Sequence, residues 1–589
     1  MSLANPFKYS TPDQIKDPLE ALELFVDVFK DFYLIESVGN TFVNGPRGSG
    51  KSMMYRIMRP DCQKVKLNSS LNALNYFAIY VPIKDKALDI EELKFLKHGE
   101  NALNEHLLTT YFSIAVFKCL EEENYSLYED CRDEIVEFYN ESFKKAIIST
   151  GLDKNEIVDI TDSHSINDIF RLVRHLLEDI LERFNLYLQK LSLTPDDIKY
   201  SGELCLYKNF LFPLIRKIGN FTFLPQDKPI YFLVDDANWL NYAQTRILNS
   251  WVSYRSTSIV CFKITTQQNY KTYYTVTGRN KIDSPHDYHE INLLDIYTSN
   301  QSDRYKDNLK KIVEKRLKQI SGIDTSAEDF FPSNMKQLRE LQELKEQLEI
   351  EKGYDYSYRN FRATYMLSLP NEYSYSYGGF DQLVHLSSGI IRNFIDMSFN
   401  MFDKTVRSSP NISEVSQIPI KIQDEEIHEY SNWFLRQLEK SIDDDGLDEL
   451  HVNNYKRLRT LISSIGKAFR LFLESGSSER RKFSFYYDGN IKDEFKEVLK
   501  IAISEGYFHY STHGSKTGLG RSHKYVMNRI LSPVYKLDPF SFSGYLYLTT
   551  DNIELAMTDE KAFIRYIKTR IKSGLEDDSD DQLEMEFDG

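Results

Sequence analysis

Residues 40–59 read NTFVNGPRGSGKSMMYRIMR. A short apolar run over 40–44 meets a cluster of glycines, and an amphipathic stretch follows from Lys51, so the order is strand, glycine-rich loop, helix. Inside it, Gly45-Pro46-Arg47-Gly48-Ser49-Gly50-Lys51-Ser52 satisfies GxxxxGK[ST] in full. Glycines let successive backbone N–H groups turn inward around phosphates, a path that Cβ-bearing residues follow less easily. Lys51 is placed to reach the terminal phosphates, the Ser52 hydroxyl can ligate Mg²⁺, and the helix beginning at Lys51 adds its positive end. The loop therefore predicts binding of a nucleoside triphosphate with Mg²⁺. No NKxD box for reading guanine is evident, which favours ATP.

A phosphate loop of this kind needs a carboxylate delivered beside its serine. Ile230-Tyr231-Phe232-Leu233-Val234-Asp235-Asp236 is an apolar run ending in two acids. Asp235 would hold the metal through water, and Asp236 would orient or deprotonate the attacking water. The competing reading is that both acids cap a helix in ANWLNYA, which follows. A second apolar run, TSIVCFKITT (257–266), ends in Thr265 and Thr266 before Gln267, and Thr266 is the candidate to touch the γ-phosphate. Further strands are expected at 75–83 and 288–295. Strands alternating with helices around the loop predict an α/β P-loop NTPase core with a parallel sheet.

The stretch 101–217 is helical in pattern and forms a large helical insertion in a core spanning 1–300. One helix is expected from DPLEALELFVDVFKDF, with Leu22, Leu24, Phe25, Val28 and Phe29 at helical spacing. A helical lid is expected over 301–405. In it MKQLRELQELKEQLEIEK carries Leu338, Leu341, Leu344 and Leu348 on one face, before a Tyr-rich connector. Residues 404–425 form a candidate linker, and 425–545 a helical domain. The run from Glu576 to Asp581 belongs to an acidic tail, 575–589.

With 589 residues and 41% hydrophobic residues, the chain can bury several cores. Its net charge of −15 argues against a surface built for indiscriminate nucleic-acid binding, so a nucleic-acid site has to be local. The five cysteines, Cys62, Cys119, Cys131, Cys205 and Cys261, show neither CxxC nor zinc spacing and read as reduced thiols. No apolar run has the length of a membrane span and no signal core opens the chain, so the expected location is cytoplasmic, without a membrane partner.

Three further features make the chain resemble AAA+ ATPases of the origin-recognition/Cdc6-like branch, and the related STAND NTPases. After the core, LSSGIIRNFIDM (386–397) is similar to the sensor-2 region of those lids, with Arg392 at its arginine position. The helix DEFKEVLKIAISEGYF (493–508) and the hairpin after it look like a C-terminal winged helix. Between Tyr507 and Leu537 there is no acidic residue, while Lys516, Arg521, Lys524, Arg529 and Lys536 all occur, with Gly514, Gly518 and Gly520 at the wing. The resemblance spans 20–300 for the core, 300–405 for the lid and 425–545 for the C-terminal part. It implies an ATP-dependent switch in which Lys51, Asp236, Thr266 and Arg392 serve hydrolysis. It also implies double-stranded DNA bound through Lys516, Arg521, Lys524 and Arg529, a protein partner or self-oligomer, and, from bacterial members, a role in defence. A winged helix used for protein contacts alone remains open, as does a nucleotide-stabilised scaffold with negligible hydrolysis. The chain departs from the pattern in two ways: the separation from Lys51 to Asp235 is long, and Asp236 stands where active motors carry Glu. The shorter carboxylate implies slow turnover. Arg279 is a guess at a trans-acting arginine. No constellation for a nuclease is found.

Overall fold

The strands expected around the loop all form, and they assemble into one parallel sheet. In the computed structural model these are β1 (Thr41–Asn44), β2 (Phe77–Pro82), β3 (Ile230–Asp235), β4 (Val260–Thr266) and β5 (His289–Asn292), in the order β2-β3-β4-β1-β5. Every pairing is parallel, and β1 to β4 are mostly or wholly buried, which is why they read as continuous apolar runs. The structure describes residues 4–573 except 29–31, 97, 129–130, 196–197, 255, 268–269, 294–301, 371–374, 409–414, 444–445, 447, 476–480, 488, 515–520 and 541–543. The acidic tail lies outside the described residues.

The chain divides into two compact units. The core unit comprises 11–45 and 50–293; the C-terminal unit comprises 1–10, 46–49 and 294–589. In the core unit the insertion between β2 and β3 is helical, as expected. Its two long helices are Glu100–Glu121 and Ile166–Leu193. The second starts from a capping box, Ser165 with Asp168, and buries Ile169, Phe170, Val173, Leu177, Ile180 and Phe184 at helical spacing. The insertion shares the core of the sheet. Phe112 packs on Phe232 of β3 at 5.3 Å and on Trp251 at 5.2 Å, while Tyr207 stacks on Trp251 at 4.5 Å.

The single N-terminal helix is corrected. Asp17 caps a helix over Pro18–Leu24, the chain turns extended at Phe25, and a second helix covers Phe32–Glu36. The Phe25 and Phe32 rings meet at 5.2 Å, a contact that a continuous helix would preclude.

The C-terminal unit is mainly helical up to Glu474. Its Met335–Lys352 helix forms as expected, but the Tyr-rich stretch after it is no connector: Tyr354–Ser368 is a helix that folds back on the first. Ser357 donates to the Lys345 carbonyl and Tyr365 to Glu340 across this hairpin. The expected linker shrinks too, since helices run over Ile391–Ser408 and from Ile420 to Ile442. Beyond them β6 (Lys482–Tyr487), β7 (Phe508–Gly514), β8 (Arg521–Met527) and β9 (Gly544–Leu548) form a sheet ordered β7-β8-β6-β9. β7 and β8 make the expected antiparallel hairpin after the helix Asp493–Ser504. The fold continues past residue 545 with helices Thr550–Thr558 and Glu560–Ser573, whose Ile553, Phe563 and Ile567 join the core of Leu461, Ile465 and Phe485. Among the described residues no helix is long and apolar enough to cross a membrane.

Candidate nucleotide site

β1 ends at Asn44, and the next residue is tied to the neighbouring strand: Gly45 N–H donates to the Thr266 carbonyl at 3.2 Å. The loop then makes two left-handed turns, at Gly48 (φ 86°) and Gly50 (φ 102°), conformations that glycine adopts without strain. Gly50 precedes the helix Lys51–Met58, and no side chain caps that helix. The positive end of the helix is thus open to an anion. Lys51, 5% exposed, folds its ammonium back onto the Gly45 carbonyl at 2.7 Å. The Ser49 hydroxyl is buried with no hydrogen-bond partner among the described residues, a polar atom that a phosphate oxygen would satisfy. Arg47 is exposed, and Pro46 and Ser52 are half-buried. A helix start without a side-chain cap, a folded-back lysine and an orphaned hydroxyl fit a polyphosphate.

Asp235 closes β3 and is 4% exposed. Both carboxylate oxygens are held: Thr265 Oγ1 donates to Oδ1 at 2.5 Å and Tyr80 Oη to Oδ2 at 3.0 Å. Tyr80 comes from β2, and the Arg59 guanidinium covers its ring at 3.8 Å. Burial and the charge of Asp235 push the Tyr80 hydroxyl well above its ordinary range, so it stays protonated and donates. Tyr55 is buried too, with its hydroxyl pushed up by burial and then by Asp235. Tyr55 stands three residues after Ser52 on one helix, so the two share a face. The Ser52 face of that helix therefore turns toward Asp235.

Asp236 follows in a left-handed conformation (φ 59°), and its N–H donates to Thr265 Oγ1 at 2.8 Å. Its side chain makes no cap hydrogen bond to the short turn Ala237–Trp239, and Asn241 caps the helix Tyr242–Val252 instead. The capping reading of the acid pair is thereby removed. Thr265, rather than Thr266, touches Asp235: side chains alternate along β4, and the Thr266 hydroxyl donates to the Gln267 carbonyl. Sequence reasoning missed Tyr80 and Arg59. The one available signal was a tyrosine inside an apolar strand, whose hydroxyl must find a partner once buried.

Within the C-terminal unit, which includes loop residues 46–49, Arg392 opens the helix Ile391–Ser408 and its N–H donates to the Gly48 carbonyl at 3.1 Å. A Cβ at Gly48 would stand 2.6 Å from the Arg392 Cβ. Asp396, one turn on, has its carboxyl pushed up by burial, against the opposing pull of the Arg392 charge.

The expected nucleic-acid residues divide. Lys516 lies outside the described residues, as does the Arg521 side chain, although Arg521 itself opens β8. Lys524 is half-buried against the Tyr486 ring at 5.6 Å, and burial followed by the Arg529 charge lowers its pKa. Arg529 is corrected: it is 2% exposed, donates Nε to the Pro539 carbonyl at 2.9 Å and lies over Phe483. Its guanidinium is committed to the interior. Arg279 is exposed in a turn. None of the five cysteines is in a disulfide among the described residues.

A sequence model of a family described as ORC-CDC6-like matches residues 5–355 and 343–546. No curated protein sequence matches the chain. Solved structures similar to it include Cdc6p from Pyrobaculum aerophilum, 10% identical over 97% of this chain and 100% of that one, with a TM-score of 0.28. The Aeropyrum pernix ORC1 protein in complex with DNA is 10% identical, with coverages of 90% and 96% and a TM-score of 0.25. The Aeropyrum pernix ORC2 protein, in ADPNP-ADP complexes, is 10% identical, with coverages of 96% and 98% and a TM-score of 0.28. The family assignment rests on the sequence match.

Proposed function

The chain belongs to the ORC-CDC6-like family of AAA+ P-loop ATPases, and from that premise we propose that it is an ATP-dependent switch acting on DNA or a partner protein. The observation that carries this reading is the Asp235 carboxylate, fixed at both oxygens by Thr265 and Tyr80 at the end of β3, in the same parallel sheet whose β1 runs into the phosphate loop. Residues 45–52 take the phosphates, with Lys51 leaving the Gly45 carbonyl to pair with the terminal ones. Mg²⁺ would be held by Ser52 and, through water, by Asp235, and when bound it neutralises charge on the phosphates. Among the described residues there is no cluster of three or more His, Cys, Asp or Glu fit for a metal. One carboxylate and one hydroxyl completed by phosphates and water is the usual Mg²⁺ arrangement.

Asp236, one methylene shorter than the glutamate of active motors, orients the attacking water less closely, so turnover is slow. Arg392, already on the loop through its backbone, reads the γ-phosphate, and Thr266 is a second polar contact at that end. Residues 301–405 act as the lid, and the hairpin β7–β8 is the wing of a winged helix that engages double-stranded DNA. The DNA end is supported by the family and by the acid-free run 507–537. Self-association or a protein partner, and a setting in bacterial defence, rest on the resemblance alone.

Phosphate release by the purified chain, with and without duplex DNA, tests this reading. Lys51→Ala should lose ATP binding and turnover, and Asp236→Asn should keep binding and lose turnover. ATP binding undiminished in Lys51→Ala would sink the proposal. The second reading, a nucleotide-stabilised scaffold, is favoured by the short Asp236 side chain. It predicts that Asp236→Asn changes nothing measurable.

A further inference from the structure

Of the cations expected at the hairpin, Arg529 is buried and Lys524 half-buried. A different element of the same unit presents a row of exposed cations. The helix Glu560–Ser573 carries Lys561, Arg565, Lys568, Arg570 and Lys572 against the single acid Glu560. Lys561, Arg565, Lys568 and Lys572 are all exposed. Their spacing of four, three and four residues sets them on one face of the helix. Among the described residues none of these four makes an ion pair, whereas Arg570 is turned to the Tyr547 carbonyl and Glu560 is taken by Lys467. The opposite face, Phe563 and Ile567, is buried in the core, which fixes the stripe outward.

We infer that this outward face docks the phosphate backbone of double-stranded DNA, an inference that rests on the DNA reading of the proposed function but places the contact on a helix beyond the residues that match the family. The stripe is about 17 Å long at 1.5 Å per residue, and its cations follow one another every ~4.5–6 Å. Phosphates of one strand rise by about 3.4 Å each, so the stripe runs past roughly five of them. It holds lysine and arginine without an exposed apolar anchor, which suits contact with a charged backbone rather than insertion into a lipid surface. In a chain of net charge −15 such a stripe also orients the approach of a polyanion, since the chain as a whole carries the same sign of charge.

The test is duplex-DNA affinity of the full chain across a salt series, for wild type and for the combined variant Lys561→Gln, Arg565→Gln, Lys568→Gln and Lys572→Gln. Glutamine matches lysine in helix propensity, so the helix is retained, and ATP binding serves as the folding control. The expected result is affinity at least roughly tenfold weaker at about 0.1 M salt, with a log–log salt slope shallower by ~0.9 per lost contact. Unchanged affinity and slope, in a chain that binds DNA and loses it on Arg521→Gln with Lys524→Gln, overturns the stripe and leaves the proposed function standing. A wild-type chain that binds no duplex at any salt overturns both. Loss of poly-glutamate binding with DNA binding intact overturns the inference in favour of an acidic polypeptide, such as the run Glu576–Asp581.

Discussion

Asp235 is gripped at both oxygens, and the two grips come from different strands: Thr265 from β4 and Tyr80 from β2. A carboxylate fixed in this way presents its remaining lone pairs in one direction, which a water-mediated metal contact requires. Tyr80→Phe deletes one grip while keeping the ring under Arg59. The expected outcome is a loss of about 1 kcal/mol in stability and a several-fold rise in the Mg²⁺ concentration needed for half-maximal ATP turnover. A Mg²⁺ titration at saturating ATP checks it, and an unchanged midpoint would mean that Thr265 alone sets the carboxylate. Lys51, Ser52, Asp235 and Asp236 could be singled out as candidates because the motifs that mark them are written in neighbouring residues. Tyr80 could not, because 155 residues separate it from Asp235 and only the pairing of β2 with β3 brings them together. That Thr265 turns to Asp235 was equally out of reach, since a shift of one residue along a strand exchanges its two faces.

At the scale of elements, the hairpin of Met335–Lys352 and Tyr354–Ser368 shows how far periodicity reaches. Four leucines were expected on one packed face. The structure buries Leu341 (4% exposed) and Leu348 (7%), half-buries Leu344 and leaves Leu338 44% exposed. The buried stripe of this helix is narrow, running through Gln337, Leu341 and Leu348, and Leu338 lies off it. Leu341→Ala or Leu348→Ala should therefore cost about 2–4 kcal/mol, and Leu338→Ala less than about 0.5 kcal/mol, read from urea unfolding midpoints. Equal losses at all three positions would show that the hairpin has a further partner on its Leu338 side. The insertion 101–217 was legible as helical for the same reason of spacing. That it packs as a layer on the sheet, through Phe112 on Phe232, was not, because the contact joins residues 120 positions apart.

At the scale of the whole molecule, burial lowers the pKa of three of the described histidines far enough to matter: His106 to about 4, His509 to about 4 and the half-buried His385 to about 3. For the last two, neighbouring arginines, Arg529 in both cases, push the same way. His106 accepts the Cys205 N–H on Nδ1 at 3.0 Å, so its proton sits on Nε2, facing the Tyr200 hydroxyl. Each folded pKa lies below the unfolded value near 6.5, so the unfolded chain binds more protons on acidification. This contribution is fully present above about pH 6.5 and is lost as pH falls toward 4, on the order of 3 kcal/mol per histidine. Unfolding midpoints should drop steadily between those values, and His106→Gln should flatten the drop. A midpoint constant from pH 7 to 4.5 would contradict the buried, neutral assignment.

By itself the sequence determined the phosphate loop, the acid pair, the five strands of the parallel sheet and the helical character of the insertion. Each is written in residues within one turn or one strand of one another, where spacing alone settles which side chains share a face. Tertiary structure decided which hydroxyls grip Asp235, that Arg529 turns inward to the Pro539 carbonyl, that the fold runs on to Ser573, and that a row of cations on the last helix faces solvent. Burial and partnership are properties of surfaces brought together from distant parts of the chain, and for a charged residue they decide between interior anchor and exposed contact.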